Sequence, residues 1–284
     1  MTNIAIDWAR VARVANAFKT LGLEGIKAFE DADPQMEAAL RIARACGRLC
    51  PAVLAVNALG SYMLEVKGEE FWMGLAEHVG RVGCGRGHED VIRAVELYTR
   101  LRNRRFAGAK LGRLHKLLKC PQVTEAAVAG DLHWLWRSVS SCLEASPASK
   151  TVVFSVKMAY YGLRALGEDV SPPPEAPMPV DLRVSRVTYL SGMAMPARVS
   201  GVNDAVDALM RKASLVRRVW GRVSELSRIP PLSLDAPVWF VGGLAGLGRR
   251  SSVLKALQRV ERLKRLGAGV LGVLVEELLA RLPP

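Results

Sequence analysis

Ser149 to Val184 reads SKTVVFSVKMAYYGLRALGEDVSPPPEAPMPVDLRV, and this stretch decides the fold. Its first half is an apolar run at helical spacing holding two lysines, Lys150 and Lys157, seven residues apart and so on one face. Ser146-Pro147 just upstream predict the helix start, with serine as N-cap and proline in the first turn, and Gly167 predicts its end. The proline-rich segment from Gly167 to Pro179 is the one compositional break in the chain. Just past it, Asp181 is a natural N-cap for the next helix. A lysine amine is a nucleophile only when neutral. The positive end of the helix dipole near Lys150 and the second cation at Lys157 both disfavour a proton there, and Phe154 between them offers an aromatic surface. With a carboxylate from the loop end, such a helix makes a site that attacks an electrophilic carbon and stabilises developing positive charge.

Outward from this stretch, helix starts and stops recur and no period-2 strand stands out. Asp7 to Lys19 predicts a helix ended by Gly22, Gly25 to Glu30 a short second one, and Asp33-Pro34 the start of a third that reaches Arg48. Pro51 opens a helix to Glu65, and Asp131 to Leu143 is a further apolar helix. Trp134, Trp136 and Trp220 read as core.

The chain has 284 residues, half of them hydrophobic, enough for one large domain or two packed lobes. Its formal charge of +13 points to a polyanionic partner, for which nucleic acid is the commonest candidate. The start MTNIAIDWARVARV has no basic segment leading into an apolar core, so no signal peptide is evident. The longest uncharged apolar run, Ala236 to Gly248, is too short to span a bilayer. No membrane association is expected; a cytoplasmic, nucleoid-associated protein is. Cys46, Cys50, Cys84, Cys120 and Cys142 lack paired spacing, and the four histidines share no ligand spacing, so no metal site is expected. Asn and Gln together number eight, and scarce amides with many charges fit a thermophilic source, where an intracellular disulfide is an option. Cys46 and Cys50, one helical turn apart, are poorly placed to bridge each other.

Five blocks then occur in order: LGLEGIKAFEDADPQ (21–35), NALGSYMLEVKGEEFW (57–72), SKTVVFSVK (149–157), PMPVDLRVSRVTYLSG (177–192) and SRIPPLSLDAPVWF (227–240). Over about residues 8 to 243 the chain resembles the archaeal 8-oxoguanine DNA glycosylases of the helix-hairpin-helix superfamily. The resemblance implies an all-α, two-lobed fold with a helix-hairpin-helix motif and a central cleft. Residues 36–166 would form the hairpin-bearing lobe, 1–35 with 167–243 the second, and 244–284 a C-terminal helical extension. By the same resemblance Lys150 is the Schiff-base lysine and Asp181 the catalytic aspartate. The pocket for the oxidised base would take in Gln35, Trp72, Phe154, Lys157, Asp235 and Trp239. An extruded base needs an aromatic face to stack on and polar groups for its edges, and Trp239 follows Asp235 by one helical turn. Without the resemblance, Trp72 and Trp239 read as core and Asp235 as a cap.

The activity implied is that of a bifunctional glycosylase and lyase, acting as a monomer on DNA containing 8-oxoguanine, with no metal or diffusible cofactor. The chain departs from the family in places. The turn EASPAS lacks the glycines that let hairpin amides approach a phosphate, and residues 100–145 show little likeness. Arg100, Arg102, Arg104, Arg105, Lys110, Arg113, Lys116 and Lys119 compete with Arg211, Lys212, Arg217, Arg218 and Arg222 as the DNA-facing surface. Whichever face serves, affinity should fall steeply with salt. A glycosylase for another lesion, and a non-catalytic helical DNA-binding protein, remain the alternatives at this point.

Overall fold

The computed structural model describes residues 3–284. In chain order the elements are β1 (Ile4–Ile6), α1 (Trp8–Ala32), α2 (Pro34–Cys46), α3 (Cys50–Ala58), α4 (Gly68–Val82), α5 (His88–Arg102), α6 (Ala107–Leu117), α7 (Pro121–Ala129), α8 (Leu132–Cys142), α9 (Lys150–Ala165), α10 (Leu182–Leu190), β2 (Ala194–Pro196), α11 (Val202–Arg211), α12 (Ala213–Ser227), α13 (Asp235–Leu244), α14 (Arg250–Gln258) and α15 (Gly267–Leu278). The fold is therefore all-α, apart from one antiparallel pair too short to leave an alternating pattern, with Ala5 opposite Met195. Contacts divide the chain into two compact units: Asp33–Ala176, and a second made of the segment up to Ala32 with Pro177–Pro284.

In the Asp33–Ala176 unit, α9 is the central element, packed on α2, α3 and α8. The α3 sequence CPAVLAVNA is apolar all round, and every one of its residues is buried, as that pattern requires. Gly162 allows the closest approach of the two helices: a Cβ there would lie 2.7 Å from the Cα of Pro51. Helix α3 stops at Ala58, well short of Glu65, because the following turn is bonded elsewhere. Arg113 donates to the Leu59 carbonyl at 3.0 Å, and Asn103 Nδ2 to the Gly60 carbonyl at 2.8 Å. Lys110, almost wholly buried, donates to Asn103 Oδ1, and burial holds its ammonium below the ordinary lysine range. Disulfides join Cys46 to Cys84 and Cys120 to Cys142. The remaining Cys50 is buried, with its thiol pushed up to about 12, and is chemically inert.

In the other unit, α1 bends at Gly22, whose φ of 66° supplies the break that reads from sequence as the gap between two helices. Val11, Val14 and Phe18 lie in one core with Val219, Trp220 and Leu274. Trp220 is fully buried, edge-on to Phe18, and its indole N–H donates to Thr188 Oγ1 at 2.8 Å. By contrast, Trp134 in the first unit is 40% exposed and Trp136 only partly buried. Both therefore fall outside the core role expected of them. The Trp136 indole donates instead to the carbonyl of Pro147 at 2.8 Å. Residues from 244 onward pack within their unit: Arg10 donates to the carbonyls of Ser191 and Glu277, and Arg281 N–H donates to the Leu190 carbonyl at 2.9 Å.

Candidate active site

Lys150 is the first residue of α9 and lies exposed, so the helix begins one turn later than Ser146-Pro147 suggests. The reason is local. Ser149 N–H closes a turn onto the Ser146 carbonyl at 2.8 Å, and Ser149 takes the extended N-cap conformation without a side-chain cap bond. The next residue, Thr151, accepts from Arg113 at 3.3 Å, which ties the first turn of α9 to α6. One turn further, Phe154 meets the buried Trp72 of α4 edge to face, with ring centroids 6.0 Å apart at 68°. These two predicted pocket residues are brought together.

Lys157 is nearly inaccessible, and its Nζ lies 3.5 Å from Asp33 Oδ2. The same oxygen accepts from Tyr161 Oη at 3.0 Å, and the lysine sits 5.1 Å from the Tyr161 ring centre. The other oxygen, Oδ1, caps α2 by accepting from the Gln35 N–H at 2.9 Å. Asp33 thus joins a predicted pocket lysine to a predicted pocket glutamine. The cation–cation repulsion expected of Lys157 on Lys150 is offset by this carboxylate, since an ion pair in a low-dielectric interior presents little net charge. Asp33-Pro34 reads from sequence only as a helix start. Its second role was not legible there, because Lys157 lies more than a hundred residues away. Gln35 Oε1 is buried and has no hydrogen-bond partner among the described residues.

The other predicted residues belong to the unit that includes α10 and α13. Asp181 is the N-cap of α10, as its position after the proline-rich loop suggests, and its Oδ1 accepts from Arg183 N–H at 2.9 Å and Val184 N–H at 3.0 Å. Two bonds to one oxygen fix the aim of the carboxylate. Asp235 is buried and stands as the first residue of α13, one place after the N-cap Leu234, so it does not cap that helix. Trp239, one turn on, is partly buried and edge-on to Phe240 at 5.4 Å. The guanidinium of Arg183 lies over its ring at 3.8 Å from the centroid. Arg183 was not singled out from sequence; two residues beyond Asp181, it looks there like any first-turn arginine.

Among the described residues no group of three or more His, Cys, Asp or Glu side chains is placed to hold a metal ion, and no helix is long and apolar enough to cross a membrane. His78 Nε2 is hydrogen-bonded to the Ala94 carbonyl, and the two ring nitrogens of His88 to Thr124 and the Leu117 carbonyl.

The family described as AGOG, N-glycosylase/DNA lyase, matches residues 15–271. The chain is similar to the N-glycosylase/DNA lyase of Aeropyrum pernix, with 32% identity over 253 residues covering 84% of each chain. It is also similar to that of Pyrobaculum aerophilum, with 28% identity over 82% of this chain and 86% of the relative, and to that of Methanopyrus kandleri, with 31% over 72% and 75%. Among solved structures it resembles the 8-oxoguanine DNA glycosylase of Pyrobaculum aerophilum complexed with 8-oxoguanosine. The TM-score is 0.73 at 24% identity, covering 98% of this chain and all of that one. This last likeness is one of fold.

Proposed function

This chain belongs to the AGOG family of N-glycosylase/DNA lyases, and from that premise we propose that it excises 8-oxoguanine from DNA and cleaves the strand through a lysine Schiff base. The observation that carries the lysine assignment is the contrast along one face of α9. Lys150 is exposed in the first turn, open to an incoming substrate, while Lys157 is buried and ion-paired with Asp33. The first is suited to attack, the second to structure and recognition.

In this mechanism the carboxylate of Asp181 stabilises the cationic sugar as the N-glycosidic bond weakens, and takes the proton that Lys150 must shed. The Lys150 amine attacks C1′, the base departs with the glycosidic electron pair, and opening of the sugar ring leaves an imine. Removal of a C2′ proton then expels the 3′ phosphate by β-elimination. Neither metal nor diffusible cofactor takes part, and the protein acts as a monomer on DNA carrying the lesion.

Recognition turns on N7, which carries a hydrogen in 8-oxoguanine and none in guanine. The buried, unpartnered oxygen of Gln35 is an acceptor that such a donor would satisfy. Guanine would leave it unpaired, and a recognition site built on such a bond rejects the analogue that lacks the donor. Trp72 and Phe154 contribute the apolar wall, and Trp239 the stacking face.

The test is borohydride trapping on an oligonucleotide with a single 8-oxoguanine, using wild type, Lys150→Gln and Lys157→Gln. An adduct for the wild type that Lys150→Gln abolishes is the expected result. An adduct that survives in Lys150→Gln and is lost in Lys157→Gln would move the nucleophile. Absence of both adduct and base release in the wild type would rule out the 8-oxoguanine assignment.

A further inference from the structure

We infer that Arg183 is a positioning residue for base recognition. It fixes the ring of Trp239 as a stacking platform and biases that platform toward neutral, electron-rich purines over cationic, alkylated ones. The inference rests on the stacking role given to Trp239 above, and deepens it by naming what sets its selectivity.

The geometry comes from α10 and α13 alone. Asp235, Trp239 and Gly243 follow one another at four-residue intervals, so they share one face of α13. Arg183 runs along that face. A Cβ at Gly243 would lie 3.5 Å from the guanidinium carbon, and one at Gly242 would lie 3.1 Å from the Arg183 carbonyl and 3.2 Å from its Cβ. Any larger residue at Gly242 would press on the backbone of α10, which makes the glycine pair a bed for the arginine. The side chain ends over Trp239 at 3.8 Å, the shortest cation–ring distance among the described residues, the next being 4.6 Å between Arg281 and Tyr189. At that separation the planar guanidinium lies in van der Waals contact with the indole, which an ammonium cannot reproduce. The backbone N–H of the same residue holds Asp181 Oδ1. That bond comes from the main chain and is kept by any side-chain substitution, so the arginine side chain itself orients the aromatic ring alone.

The chemical consequence follows from where the charge sits. A cation on one face of an indole draws the π electrons toward itself and leaves the opposite face poorer. A poorer face attracts an electron-rich ring, and oxidation at C8 makes guanine more electron-rich. It also repels a cationic ring, such as a purine methylated at N7, which has similar size and the same stacking area. Platform and charge together separate two classes of damaged purine that shape alone does not.

The experiment compares full-length wild type, Arg183→Gln and Arg183→Lys for binding of free 8-oxoguanosine and free 7-methylguanosine by calorimetry, at mildly acidic pH where the second is cationic. Cleavage of a preformed abasic site, which engages Lys150 but no base, is measured in parallel. In the wild type, 8-oxoguanosine is expected to bind more tightly. Arg183→Gln is expected to shrink the ratio of the two dissociation constants about tenfold, as removal of one desolvated cation–ring contact would. Abasic-site cleavage should stay within about threefold, and Arg183→Lys should restore the ratio only in part. An unchanged ratio in Arg183→Gln, full restoration by lysine, or parallel loss of nucleoside binding and abasic-site cleavage would overturn the inference. So would a wild type that binds neither nucleoside. Excision of 8-oxoguanine from DNA is scored separately, so failure of the proposed substrate and failure of the arginine's role give different patterns.

Discussion

Asp33 is the residue on which the most rests in its unit. One of its oxygens caps α2, and the other meets a buried ammonium and a buried phenol. Removing one partner of a buried ion pair typically costs about 3–5 kcal/mol, because the charge that remains loses part of its compensation. Asp33→Asn should therefore lower the unfolding free energy by roughly that amount in a denaturant titration. Tyr161→Phe, which removes the hydrogen bond to the Asp33 carboxylate, should cost about 1.5–3 kcal/mol. If Asp33→Asn proves as mild as Tyr161→Phe, the ion pair is not carrying the stability assigned to it. The cap was legible in the sequence, since Asp-Pro before an apolar periodic run is a local signal. The pairing with Lys157 was not, and neither was the stacking of Arg183 on Trp239, because each joins residues remote in the chain and leaves no mark on the spacing of either segment.

At the scale of elements, α9 and α3 show how tightly this unit is closed. Gly162 faces the backbone of Pro51, which cannot move aside as a flexible side chain could. Gly162→Ala should force the helices apart at a cost of about 1–3 kcal/mol, despite alanine's better helix propensity. A thermal melt that shows stabilisation would mean the helices separate freely at that point. The elements themselves were mostly legible, because their ends are written in local chemistry: Gly22 breaks α1, Asp33-Pro34 opens α2, Asp131 caps α8 and Asp181 caps α10. The misplacements have equally local causes. Ser146-Pro147 looks like a helix start, but Ser146 closes a turn and passes the cap position to Ser149. The helix expected to reach Glu65 stops at Ala58, where the carbonyls of Leu59 and Gly60 are taken by Arg113 and Asn103 from outside α3.

At the scale of the whole molecule, both disulfides lie in the Asp33–Ala176 unit. They span 38 and 22 residues, and loops of that length restrict the unfolded chain by about 3–4 kcal/mol each. Heating in the presence of a strong reductant should lower the melting midpoint by on the order of ten degrees or more. An unchanged midpoint, with free thiols verified by alkylation, would show that the bridges contribute little. Composition foretold the basic character, and the recurring helix starts and stops the helical class, whereas the pairing of Cys46 with Cys84 was invisible, since cysteine spacing does not encode connectivity.

The divided unit has a consequence for how the protein is born. Helix α1 leaves the ribosome well ahead of α12 and α15, yet Val11 and Phe18 share their core with Trp220 and Leu274 of those helices. At about 5–20 residues per second, α1 waits on the order of ten to fifty seconds for those partners. The Asp33–Ala176 unit, being continuous, has all its residues well before then. A nascent chain therefore completes the helix bearing Lys150 before Asp181 has been translated. Throughout that interval the apolar stripe of α1 has no native core to enter, which makes it the natural target for a holding chaperone during synthesis.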